Sequence, residues 1–75
     1  MRGKRDTKLF ASLTNREQEV IELLDKGYLY KEIAGQLSLK LETVRTYVRN
    51  IYEKLEVHSR TDALNKIYAR NFVRR

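Results

Sequence analysis

Arg45 and Arg49, four positions apart with Thr46 between them, are the residues of this chain best suited to recognition chemistry. An arginine guanidinium presents a planar fork of donors. It fits the O6/N7 edge of guanine, or a phosphate, through two parallel hydrogen bonds. Thr46 adds a hydroxyl for a polar base edge and a methyl for a thymine methyl. Catalysis has no comparable candidates. The chain has no cysteine and one histidine, His58, and it shows no glycine-rich phosphate loop, nucleophile–base set or supported carboxylate pair. A lone histidine does not make a zinc site. Neither an enzyme nor a metal or cofactor site is expected, and no small-molecule ligand.

The length bounds what can hold those side chains in place. Seventy-five residues make one domain, whose core supplies about 3–5 kcal/mol of net stability and commonly needs a staple or a partner. Without cysteine or a metal set, tight helix packing or self-association must serve. No apolar run is long enough for a membrane span and no secretory leader pattern opens the chain. A soluble cytoplasmic protein without membrane contact is therefore expected.

Charge is uneven along the chain. The total is +6, yet residues 14–26 are acidic, with Glu17, Glu19, Glu22 and Asp25 against Arg16 and Lys26, while the back half is basic. A basic surface suits a polyanion, because phosphate neutralisation releases counterions. The same charges also serve solubility, so composition alone decides little.

With no proline and no two-residue alternation, strands are not expected. Residues 1–10 read as a flexible basic arm or linker and 11–75 as the domain. Thr14 and Glu17 form a T-x-x-E capping box at the start of a helix. That helix buries Val20, Ile21 and Leu24 and ends at Lys26–Gly27. A short helix over Tyr30–Leu37 follows, turning Ile33, Ala34 and Leu37 inward, with Ala34 and Gly35 small enough for a close helix crossing. After the brief link Ser38–Leu39–Lys40, Leu41, Val44, Val48, Ile51 and Leu55 step by three and four, which predicts a helix over about 41–55. A last helix starts at the S-x-x-D box of Ser59 and Asp62 and carries Ala63, Leu64, Ile67 and Tyr68. The reading is all-α with four helices.

At 100° per residue, the apolar stripe of 41–55 places Glu42, Thr46, Arg49, Asn50 and Glu53 on the opposite face. Arg45 lies at one edge, and Thr43, Tyr47 and Lys54 at the other. Charges on an exposed helix are ordinary, and an Arg49–Glu53 pair stabilises by only about 0.2–0.5 kcal/mol. The combination says more: a short helix, a tight turn and a longer helix with a polar first half make a helix-turn-helix, whose second helix enters the major groove. His58 reads as a surface or capping residue, and the five tyrosines as packing anchors, since base-stacking platforms belong to sheets.

Several separated motifs fall in register with a known family. Leu13-Thr14-Asn15-Arg16-Glu17-Gln18-Glu19-Val20, Gly27, Lys31-Glu32-Ile33-Ala34, Thr43-Val44-Arg45, Asn50-Ile51, Lys54-Leu55 and Ser59-Arg60-Thr61 together resemble the LuxR-type DNA-binding domain. That domain is the output module of response regulators of the NarL/FixJ class and of quorum-sensing regulators; the stretch Asn50–Leu55 looks closest to the former. The resemblance spans about residues 13–72. It implies an all-α, four-helix LuxR-type helix-turn-helix DNA-binding domain that acts in transcription regulation on double-stranded DNA, with a two-fold symmetric operator. Arg45, Thr46 and Arg49 would read bases. Lys31, Thr43, Tyr47 and Lys54, with Asn50 and Arg60 as further candidates, would contact phosphates. Weak dimerisation would run through the last helix, at Ala63, Ile67 and Arg70, and RNA polymerase is a further candidate partner. Two positions depart from the pattern. Leu29 and Lys40 stand where such domains usually place a capping residue, a loss of about 0.5–2 kcal/mol at each, with Ser38 or a phosphate contact from Lys40 as the substitute. The competing readings are region 4 of a sigma factor and a helical protein-interaction module without nucleic acid.

Overall fold

The structure is a computed structural model and describes residues 5–68. Five helices follow in order: α1 Thr7–Ala11, α2 Asn15–Asp25, α3 Tyr30–Leu37, α4 Leu41–Leu55 and α5 Arg60–Tyr68. The last four occupy the expected segments, and no strand occurs among the described residues.

Within residues 5–10, which the sequence reading assigns to a flexible arm, the chain instead folds into most of α1. Asp6 caps it, its Oδ1 accepting the Leu9 N–H at 3.0 Å, and the Asp6 N–H donates to the Ile67 carbonyl of α5 at 2.6 Å. Arg5 pairs with Glu22 of α2 at 3.0 Å and lies 4.0 Å over the Phe10 ring. Leu9 and Phe10 pack against the core. A helix of five residues is too short to show periodicity, and its tertiary contacts hold it in place.

α2 begins at the expected box. Glu17 Oε1 accepts the Thr14 N–H at 2.9 Å and Thr14 Oγ1 accepts the Glu17 N–H at 3.2 Å. It ends at Gly27, whose φ of +93° needs a residue without Cβ. Tyr28 N–H returns to the Leu23 carbonyl at 3.1 Å and Gly27 N–H to Leu24 at 3.0 Å, the Schellman pattern. α3 and α4 close in the same way with Ser38 and Glu56 in the left-handed position, at φ 57° and 58°. Leu39 N–H donates to Ala34 at 2.8 Å, and Val57 N–H to Tyr52 at 3.0 Å. Ser38 therefore terminates α3 and does not cap α4, where no side-chain cap forms at Lys40. Leu29 has no capping side chain either, but Glu32 Oε1 accepts its N–H at 2.7 Å.

The core joins Leu13, Val20, Ile21 and Leu24 to Ile33 and Ala34, to Val44, Val48, Ile51 and Leu55, and to Ala63, Ile67 and Tyr68. α4 packs on α2, α3 and α5. Leu41, expected on the buried stripe, is 37% exposed while Val44 is 0% exposed; the core ends one turn short of the start of α4. Tyr28, Tyr30, Tyr47 and Tyr52 pack half-buried around it and Tyr68 lies within it, as anchors. Gly35 makes no close crossing, because a Cβ built there meets nothing within 4 Å.

Two substitutions test these backbone positions. Gly35→Ala is expected to stabilise the domain by about 0.5–1 kcal/mol, by lowering the entropy of the unfolded chain at an open helical site. Glu56→Gly should stabilise by a similar amount, about 0.5–1 kcal/mol, by removing a Cβ from a left-handed residue. Each gain would raise the melting temperature, by about 4–8 °C per kcal/mol; an unchanged or lower melting point would contradict the local geometry described.

Candidate nucleic-acid interface

Packing of Val44, Val48, Ile51 and Leu55 fixes the rotation of α4 about its axis and so decides what the opposite face offers. That face carries Glu42, Arg45, Thr46, Arg49 and Glu53, all exposed. Arg45 Nη1 lies 3.5 Å from Glu42 Oε2, and Thr46 Oγ1 donates to the Glu42 carbonyl at 3.1 Å. The Arg49 guanidinium has no ion pair or hydrogen bond with the described residues. Both arginines border an open concavity of about 630 Å³, lined also by Val48, Tyr52 and Val57 of α4 and its turn, by Tyr30 and by His58. The three residues expected to read bases therefore share one accessible face of α4. Lys31, the second residue of α3, and Lys40, just ahead of α4, are exposed and likewise unpaired among the described residues. Thr43, Tyr47 and Asn50 are half-buried beside the face.

The turn between α3 and α4, the five-helix order and the free face make a helix-turn-helix with α4 as its second helix. Residues 11–67 match the model of the family described as bacterial regulatory proteins, luxR family. The chain belongs to the luxR family. Over 72 residues it is 40% identical to response regulator protein VraR of Staphylococcus aureus strain COL and of Staphylococcus epidermidis, covering 96% of this chain and 34% of each relative. The chain thus spans about a third of the length of the curated relatives it matches.

Other expected contacts of this luxR-family domain are engaged inside the protein. Lys54 Nζ binds Glu17 Oε1 at 2.7 Å, and Arg60 Nη2 donates to the Leu24 carbonyl at 3.1 Å. Both basic groups are expected at phosphates, and both tie α4 or α5 to α2 within the domain. Ala63 and Ile67, expected at a dimer interface, are each 0% exposed; they lie in the core with Tyr68, while Leu64 on α5 is half-buried. Arg70 lies outside the described residues. Among the described residues no group of histidine, cysteine and carboxylate side chains could hold a metal, and no helix is long and apolar enough to cross a membrane.

Two features escaped the sequence reading. Glu17 was legible as a cap but not as the partner of Lys54, 37 positions away. Lys66 Nζ donates to the Leu55 carbonyl at 2.7 Å and closes the end of α4; a cation suits that negative pole, and only the fold brings it there. Tyr52 lies beside Tyr30 and Arg60. Burial, with the Tyr30 hydroxyl adding and Arg60 opposing, pushes its hydroxyl up to about 12, so it stays a neutral donor where α3, α4 and α5 meet.

Burial pushes the Glu17 carboxyl up. The Lys54 hydrogen bond and charge and the Thr14 contacts together outweigh that, holding it below its ordinary value. A folded-state value below the unfolded one gives stability that is present above the unfolded carboxylate pKa and lost as pH falls through the folded value. Glu17→Gln keeps the shape and removes the charge. It should cost roughly 1–2 kcal/mol at neutral pH, the lower part of the range for a charged hydrogen bond, because Lys54 is partly solvated. Thermal melts from pH 7 downward check this: the gap between the two proteins should close in acid, and a gap independent of pH would exclude the ion pair as its cause.

Proposed function

We propose that this chain is the sequence-specific, double-stranded-DNA-binding output domain of a bacterial transcriptional regulator, a two-component response regulator acting in the cytoplasm. The observation that carries the reading is the pairing of Arg45 and Arg49 on the exposed face of α4, beside Thr46, in a luxR-family helix-turn-helix. The relatives at 40% identity are named response regulators, which supports the two-component assignment. In this mode α4 enters the major groove by its N-terminal half while α3 crosses the backbone. Arg45 and Arg49 address guanine edges, and Thr46 a thymine methyl or an amino group. Lys31, with Thr43, Tyr47 and Asn50 around the edge, fixes register on phosphates without reading sequence. Lys40 replaces a cap with a cation at the mouth of α4, where its charge adds to that of the open N–H groups.

The domain carries out no reaction: binding positions a regulator on its operator, and RNA polymerase is the downstream partner of such a complex. Two copies on a two-fold operator would place their α4 helices about 10 base pairs apart. Among the described residues of α5, Leu64, half-buried, is the apolar side chain left for contact between copies once Ala63, Ile67 and Tyr68 are in the core.

Selection from a random duplex pool, followed by titration against salt, tests the reading. Arg45→Ala and Arg49→Ala should each lose about 1–3 kcal/mol of discrimination at one base pair. Lys31→Ala should weaken all duplexes alike and flatten the salt slope by about one. Specific binding left intact in both arginine variants would remove α4 as the reading helix.

A further inference from the structure

Glu42 is an acidic group placed among the residues that would face DNA. Its side chain is 83% exposed, at the second position of α4. Standing three residues before Arg45 and four before Thr46, it shares their face. It contacts both, the first through its carboxylate at 3.5 Å and the second through its backbone carbonyl at 3.1 Å. The second bond orients Thr46: a hydroxyl has one proton, and donating it back to the helix leaves a methyl group and an acceptor lone pair for the ligand.

The fold gains little from the Glu42 carboxylate. An exposed pair three residues apart is weak, and a first-turn acid adds a screened dipole contribution. Against DNA its charge is repelled by phosphate unless it meets a donor. Major-groove donors are the N4 amino group of cytosine and the N6 amino group of adenine. A carboxylate only accepts, and adenine presents its amino group beside the N7 acceptor, which would oppose the second oxygen. Cytosine offers the amino group without that neighbour. Along the axis Glu42 and Arg45 are about 4.5 Å apart, close to the roughly 3.4 Å base step.

We infer that Glu42 is a specificity-determining residue: its carboxylate accepts from the N4 amino group of a cytosine in the base pair next to the guanine read by Arg45. This rests on the DNA reading proposed above. The test repeats the random-duplex selection with the whole chain as wild type, Glu42→Gln and Glu42→Ala, each checked by thermal melt to be folded at the selection temperature. The wild type should enrich a cytosine beside a guanine. Glu42→Gln should turn that column to adenine, whose N6 and N7 match a side-chain amide. Glu42→Ala should erase the preference there, a loss of roughly 5- to 150-fold in discrimination, and leave the other columns standing. Identical selected sites for all three proteins would overturn the inference, as would a wild-type site without that cytosine, while leaving the DNA reading intact. A wild-type chain that enriches no site at all would instead overturn the DNA reading, and this inference with it.

Discussion

The 2.7 Å contact between Lys54 and Glu17 joins the last turn of α4 to the first turn of α2. Glu17 is 3% exposed, and a carboxylate that deep is costly unless its lone pairs are occupied. The Thr14 N–H and Lys54 Nζ both donate to its Oε1. The apolar stripe sets the rotation of α4 but resists sliding and tilting less well, because dispersion contacts are short-ranged and not directional. A directional tie near the C-terminal end supplies what the stripe lacks. Arg45 stands nine residues earlier, about 14 Å along the axis, so a small change of tilt at Lys54 becomes a larger displacement of the guanidinium. The accuracy of the outward face therefore depends on a tie at the opposite end of α4.

The same logic divides the basic residues of a chain with net charge +6. Lys54, Arg60 and Lys66 are held by Glu17, by the Leu24 carbonyl and by the Leu55 carbonyl. They complete interior polar groups of a domain without cysteine, and two of them sit at helix C-termini where their charge is favourable. Lys31, Lys40 and Arg49 make no such bond among the described residues. Net charge thus overstates what a polyanion meets, and the unpaired cations around α3 and α4 are the part that counts.

The segments of α2, α3, α4 and α5 were legible from their amphipathic stripes, reinforced by a capping signal at two starts, Thr14 and Glu17 for α2 and Ser59 for α5. The face holding Arg45, Thr46 and Arg49 was legible for the same reason: rotation follows from which residues are apolar. What local pattern cannot reveal is where a long side chain ends. Lys54 and Arg60 reach partners 37 and 36 positions away, and either could have faced solvent at the same helical angle. Ala63 and Ile67 show the converse. Their apolar character fits a core or an interface equally, and only the small size of the domain assigns them inward. α1 had one visible sign, Asp6 three residues ahead of Leu9, too little to outweigh its basic surroundings.

The two helix starts without side-chain caps lie at Leu29 and Lys40, the starts of the two helices that make up the helix-turn-helix. Elsewhere the chain caps carefully, at Asp6, Thr14 and Ser59. Local rules that fail together at one place point to function more often than to chance. A capping oxygen would occupy first-turn N–H groups and set its own lone pairs toward an approaching phosphate. Leaving α4 uncapped keeps those donors open, and Lys40 adds a full positive charge at the same end. Glu32 accepts the Leu29 N–H alone, so α3 keeps later first-turn donors open beside Lys31. The stability given up at these two termini is of the order supplied by the ties to Glu17, Leu24 and Leu55, which places rigidity at the inner ends of the helices and open polar groups at the outer ones.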